Sequence, residues 1–201
     1  AAGLEAYATE EAALTFHDDL EVVKGMGVTI VSPDEVLTRS RFEVINLKDL
    51  DLGAIRKALG SFGVETRFDA VAVAVLDHGF APKGVSNRLF RFQYLRQLME
   101  KSNNLSVFAH LATELPEHLT RMKAAVSTVD VDVPVLLMDT GAAAALGALQ
   151  DGTVARHNRV LITNLGNSHT VAFHLEGLTV KGFYEHHTNL LNSAKIDELT
   201  D

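Results

Sequence analysis

An α/β fold is what this 201-residue sequence predicts, and three observations carry that expectation. Strand-length apolar runs alternate with helix-period segments, the pattern of α/β architecture. The stretch Phe68 to Leu76 is apolar almost without interruption and rich in Val and Ala, as expected of a strand covered on both faces. Near the C-terminus three strand-like runs instead follow one another across glycine turns, which reads as an antiparallel meander.

In order along the chain, Thr9 before Glu10 and Glu11 gives an N-cap and an acidic first turn, predicting a helix from Glu10 to Lys24. Gly25 and Gly27 end it, and Val28 to Val31 reads as a short strand before Ser32-Pro33. Phe42 to Leu47 reads as another strand, and Leu52, Ile55 and Leu59 keep helical spacing until Gly60 and Gly63. The strand Phe68 to Leu76 ends at Asp77-His78-Gly79. Ser86 caps a helix from Asn87 to Lys101 whose inward stripe is Leu89, Phe92, Leu95 and Met99. Val107 to Leu111 reads as a strand, and Pro116 opens a helix through Leu119, Met122 and Val126. Val135 to Met138 is a strand running into an alanine-rich helix. Val160 to Asn164, Thr170 to Leu175 and Leu178 to Tyr184 form the meander, with turns at Gly166-Asn167 and Glu176-Gly177. A last helix spans Leu190 to Leu199.

Composition narrows the chemistry. With 18 Lys+Arg against 26 Asp+Glu the formal charge is −8, which disfavours nucleic acid and anionic membranes as partners. Arg88, Arg91 and Arg96 share one predicted helix and read as a solvated face. There is no cysteine, so thiolate nucleophiles, zinc–thiolate sites and cysteine-ligated iron–sulfur clusters have no ligands in these residues. No apolar run is long enough to span a bilayer, and the start lacks a basic-then-apolar signal, so a cytoplasmic address is expected. The opening Ala1-Ala2-Gly3-Leu4 without an initiator Met is expected of a shortened chain.

Two sets of residues carry candidate chemistry. Gly166 and Asn167 tolerate left-handed backbone angles, so the bend Asn164-Leu165-Gly166-Asn167-Ser168-His169-Thr170 has amides suited to cradling an anion, with Ser168 and Thr170 adding hydroxyl donors. The same residues equally make a plain hairpin turn. The second set is histidine-rich. Asp77-His78-Gly79, Asn167-Ser168-His169-Thr170 and Glu185-His186-His187-Thr188 lie at strand ends or turns, where ligands gather in open α/β sheets. If those ends converge, Asp77, His78, Asp139, His169, Glu185, His186 and His187 form one polar pocket. It could bind a divalent metal through imidazole and carboxylate, or phosphate through protonated imidazole. Adjacent strand residues point to opposite faces, so His186 and His187 cannot share one ion, and the spacing matches no named zinc motif. His17, His110, His118, His157 and His174 read as surface or structural histidines.

The segment Met138-Asp139-Thr140-Gly141 through Gly147, followed by Leu161 through Thr170, resembles the middle of the nucleotide site of the actin, Hsp70 and sugar-kinase superfamily. That resemblance implies a ribonuclease H-like (actin-like ATPase) fold: residues 1–155 as the latter part of a first lobe, residues 156–201 as the start of a second. It also implies nucleotide bound with Mg²⁺ at Asn164, Gly166, Asn167, Ser168, His169 and Thr170. Asp139 would serve the metal, and Gly141 would let the alanine-rich helix pack closely. The superfamily's strand ends in an aspartate that organises metal and attacking water; here Asn164 stands there, and an amide cannot act as a base. Taken with Tyr7 to Ala13 and Glu185-His186-His187-Thr188, these motifs also resemble, over essentially the whole chain, a prokaryotic family of unknown function labelled "putative pyruvate formate-lyase activating enzyme". Other members carry an N-terminal Asp-Val-Gly-x-Gly-Thr segment and a glycine- and histidine-rich C-terminal segment, so the resemblance implies a central fragment. The labelled activity is radical chemistry on an iron–sulfur cluster held by three cysteines, which cannot reside in these residues. The readings left are a phosphate- or nucleotide-binding protein weak in hydrolysis, a metal-dependent hydrolase, or a non-catalytic regulatory domain.

Overall fold

The computed structural model describes residues 5–14, 16–17, 19–38, 43–45, 48–82, 84–129, 132–167 and 169–200. The chain forms two compact units, Ala1–Leu47 and Lys48–Asp201.

In the first unit, β1 (Ala6–Ala8) and β2 (Val28–Ile30) pair in parallel with Ala6 opposite Val28. Parallel strands need a crossover, and two short helices supply it, α1 (Glu10–Leu14) and α2 (Leu20–Gly25). One continuous helix was expected. Asp19 instead caps a new start, its carboxylate accepting the Glu21 amide at 2.9 Å. Ala8, Ala13 and Val23 form the small core. An unanticipated helix, α3 (Pro33–Thr38), follows a reciprocal capping box. Ser32 donates its amide to Glu35 at 2.7 Å, and Glu35 donates its own to the Ser32 hydroxyl at 3.2 Å. The expected strand Phe42 to Leu47 lies partly outside the described residues, and Glu43, Val44 and Ile45 belong to no regular element.

The second unit is mixed α/β. After α4 (Leu52–Ser61), β3 (Val71–Ala74) pairs in parallel with β5 (Val135–Met138), which pairs antiparallel with β4 (Ala109–Leu111). Coverage of both faces was expected here, and the sheet is covered more fully on one. Leu137 is fully buried, whereas the row Ala72, Leu136 and Leu111 faces outward with both leucines about two-fifths exposed. β4 begins later than predicted because Asn104 accepts the Ser106 amide and starts a 3-10 turn, Leu105–Phe108, where a strand was expected.

Helix α5 (Asn87–Lys101) is capped by Ser86 as anticipated. Its inward stripe differs in one member: Leu89 is exposed, while Leu95, Leu98 and Met99 pack into the core. α6 spans Thr120–Ser127 and α7 spans Thr140–Ala148. The meander is β6 (Arg159–Leu165), β7 (His169–Glu176) and β8 (Thr179–His187), antiparallel in that order. A 3-10 turn Thr188–Leu190 precedes α8 (Ser193–Thr200). One core joins Leu98, Leu105, Met138, Ala142 and Ala145 to Phe173, Leu175 and Val180, so α5, β5 and α7 pack on the inner face of the meander. Among the described residues no helix is long and apolar enough to cross a membrane.

Gly141 sets how closely α7 approaches that sheet. A Cβ there would stand 2.6 Å from Val171 Cγ1, whereas a Cβ at Gly147 meets nothing within 4 Å. Gly141→Ala is therefore expected to cost about 1–3 kcal/mol in denaturant unfolding, because the sheet side chain must move. Gly147→Ala is expected to gain about 0.5–1 kcal/mol from helix propensity alone. Equal effects at the two positions would contradict this packing.

Candidate functional site

Sheet register brings the chemistry together. His169 opposes His187 directly, and Asn164, Val171 and Glu185 make the next row on the same face. Strand alternation therefore sends Glu185, His187 and His169 to the inner face and His186 to the other. Three more elements end beside this corner. The segment after β3 delivers His78, the N-cap of α7 is Asp139, and α5 contributes Arg91.

His78, His169 and Glu185 each offer one ligand atom, and all three atoms lie within 4.8 Å of one another. His78 Nε2 stands 4.0 Å from Glu185 Oε1, is buried, and has no hydrogen-bond partner among the described residues. The rings of His78 and His169 are 5.0 Å apart, and those of His169 and His187 are 4.7 Å apart. Glu185 divides its oxygens: Oε2 accepts from Arg91 Nε at 2.8 Å, leaving Oε1 toward His78. Arg91 is itself held, donating to the Asp77 carbonyl at 3.3 Å and pairing with Asp139 at 3.6 Å. A cavity of about 190 Å³ opens here, lined by His78, Arg91, Phe92, His169, Glu185, His186 and His187.

The other candidate residues fall as follows. Asp77 is buried beside the cluster, and its two oxygens accept the amides of Gly79 and Met122, each at 2.9 Å. It thus caps α6 from outside, which is why that helix begins at Thr120 rather than at Pro116. Asp139 caps α7 through the Gly141 amide at 2.9 Å, and its other oxygen is buried without a hydrogen bond. At the bend, the Gly166 amide donates to the His169 carbonyl at 3.0 Å. Thr188 donates its hydroxyl to the Gly166 carbonyl at 2.6 Å and lies 3.0 Å from the Thr170 hydroxyl, which is fully buried. Those donors close the turn on itself, leaving the exposed Asn167 at its tip; Ser168 lies outside the described residues. Asn164 faces inward in the row of Glu185. His186, on the opposite face of the strand, has its Nδ1 3.0 Å from the His187 carbonyl and still lines the cavity.

Arg91 was expected on a solvated face, and its side chain is instead 11% exposed between two carboxylates. The signal available was its place three residues before Tyr94 and four before Leu95, on the inward side of α5. Arg96 is exposed and pairs with Glu100, as a solvated arginine should. The side chain of Arg88 lies outside the described ones.

Burial disfavours the charged form of three histidines, His78, His110 and His118. Burial, followed by the Arg91 charge, holds His78 below the ordinary imidazole range, against the pull of Glu185 and Asp139. Behind the site, Tyr94 lies 3.2 Å from His110 Nε2 and packs edge-on against His118. Burial, with the Asp77 charge, pushes Tyr94 up to about 12. Burial also lowers His110, helped by His118 and Lys101, and lowers His118 against the opposing pull of Asp77. A depressed histidine favours the fold only while neutral, since the unfolded chain takes up its proton first on acidification. Stability is therefore expected to be full above the ordinary value of 6.5 and to fall as pH drops through the lower folded values. Urea midpoints between about pH 7.5 and pH 5.5 should fall, and His110→Gln with His118→Gln should flatten the slope. A flat wild-type profile would contradict it.

No curated protein and no solved structure matches this chain. One family model does, described as "Putative pyruvate format-lyase activating enzyme (DUF1786)". The donors at this corner are imidazole and carboxylate, and the sequence has no cysteine, so these residues do not fit the iron–sulfur cluster that such an activity requires. The match runs from residue 1 to residue 201, and the chain belongs to that family.

Proposed function

We propose that this chain holds one divalent transition-metal ion at His78, His169 and Glu185 and uses it in hydrolytic chemistry on a small molecule. One observation carries this reading: three ligand atoms from separate parts of the chain lie within 4.8 Å of one another, and one of them, His78 Nε2, is buried with no hydrogen-bond partner among the described residues. Ligands about 2.1 Å from one ion stand at most about 4.2 Å apart, so a shift of about an ångström closes the set. Two imidazoles and one carboxylate suit zinc or iron better than magnesium, which prefers oxygen ligands and water. Such an ion supplies Lewis acidity and a bound water with a pKa of about 7. Arg91 acts on Glu185 as outer-shell partners act on metal ligands, holding one oxygen so that the other faces the ion. Elemental analysis of zinc-equilibrated chain is expected to give about one ion per molecule. His78→Ala, His169→Ala and Glu185→Gln should each weaken binding by about 100-fold or more, since each removes a direct ligand. Absence of zinc from the wild type, or undiminished binding in all three variants, would overturn the proposal.

A second reading follows from the bend beside this cluster. It is so tight that a Cβ at Gly166 would meet the His169 carbonyl oxygen at 2.6 Å, and His169 belongs to both features. The alanine-rich α7 leading into the meander is what supports this reading, an actin-like, ribonuclease H-like protein divided near residue 155, cytoplasmic, and binding a nucleotide with Mg²⁺ when full length. The Gly166 amide, given to the His169 carbonyl, would have to be released for it to meet phosphate. Asn164 in place of an aspartate then argues for weak hydrolysis or a regulatory role. The full-length protein is expected to gain thermal stability with ATP and Mg²⁺, while the 201-residue chain shows no appreciable ATP turnover. Mutation-sensitive ATP hydrolysis by the chain alone would contradict this.

A further inference from the structure

Among the described residues, four histidines and an arginine surround the cavity at the proposed metal site, and Glu185 is the one carboxylate in its lining. Its charge is already matched by Arg91 at 2.8 Å, both side chains being about nine-tenths buried. Asp139, the other acid paired with Arg91, does not line this space, but its charge reaches His78. With the Arg91 cation set against both Glu185 and Asp139, a divalent ion bound here would leave a charge of about +1 uncompensated at this corner, where the dielectric is low and the charge acts strongly. A concave cationic spot on a chain of net charge −8 attracts one class of small molecule.

Resting on the metal reading above, we infer that this cavity binds the phosphate dianion of a small phosphate monoester. A phosphate ester, always ionised at neutral pH and with a second pKa of about 6, is drawn by that residual positive charge. Direct donors stand on its open side. His187 is exposed, lies 4.7 Å from the His169 ring, and its backbone is fixed by the pairing of β7 with β8. An imidazole offers at least one N–H in either protonation state. Thr188, the next residue, is tied to Gly166 and Thr170, so the strand end carrying His187 is anchored. Phe92 gives the cavity an apolar wall for the carbon end of the ester. Size sets the upper limit. About 190 Å³ is below the roughly 300–1,000 Å³ of pockets for drug-sized ligands, so the ester is a short one and a whole nucleotide does not fit inside.

The test uses the 201-residue chain loaded with cobalt(II), whose visible spectrum reports on the metal's own ligands. Inorganic phosphate is the probe, with acetate as a monoanion and glycerol as a neutral control. Phosphate is expected to shift the cobalt bands and to bind at least about tenfold more tightly than acetate, with glycerol silent. His187→Ala should keep one cobalt per chain yet bind phosphate at least about fivefold more weakly, and His187→Gln, which retains an N–H donor, should recover most of the loss. A chain that takes up cobalt but answers phosphate no better than acetate, or a His187→Ala variant with unchanged phosphate affinity, overturns this inference and leaves the metal site standing. Failure to load cobalt at all removes the metal site, and this inference with it.

Discussion

The guanidinium of Arg91 is wedged between Glu185 and Asp139 while it also donates to the carbonyl of Asp77. Those three partners belong to β8, to the N-cap of α7 and to the segment leaving β3, so one side chain of α5 ties four elements at a single corner. Two carboxylates this poorly exposed would repel each other and lose hydration without a cation between them. Removing one member of such a buried group typically costs about 3–5 kcal/mol, far more than a surface ion pair, because the partners are left charged and dry. The arrangement of His78, His169 and Glu185 follows from this wedge, because Arg91 takes one oxygen of Glu185 and leaves the other facing His78.

Two further constraints make the corner possible. Gly141 lets the start of α7 lie against Val171, which brings Asp139 within reach of Arg91. Asp77 engages both oxygens with backbone amides, one from Gly79 and one from α6, and so fixes the chain on either side of His78. Gly79 keeps φ +76° there, and a Cβ would stand 2.9 Å from the His118 ring, so the turn after His78 has little freedom. The imidazole that the proposed metal site needs is thus held by groups that never touch the cavity.

Much of the fold was legible because local signals and tertiary packing agree. The meander follows from its strand-like runs and turn glycines, α5 from its serine cap, and α7 from its run of alanines; the Asp139 cap of α7 went unread. Disagreements arise where a side chain overrides periodicity. Asp19 splits the first helix, Asn104 replaces half a strand with a 3-10 turn, and Asp77 resets the start of α6 from 45 residues away. Long-range caps of that kind leave no local trace. At the site, the sequence places His78, His169, Glu185 and His187 at strand ends and turns, but that these ends meet comes from the strand pairing and from Arg91. The roles of Asp77 and Arg91 were not legible, because a carboxylate bracing backbone and one exposing an oxygen to ligand look alike in sequence. Helical charge patterning likewise marked Arg91 as solvated, since its carboxylate partners lie far along the chain.

The claim that most needs testing is the place of the metal. Crystals of zinc-soaked protein, measured at the zinc absorption edge, locate the ion independently of affinity or activity. The account expects one strong anomalous peak about 2.0–2.1 Å from His78 Nε2, a nitrogen of His169 and Glu185 Oε1, with Arg91 still on the other oxygen of Glu185. A corner without a peak, or zinc bound only at surface histidines such as His17, would contradict it.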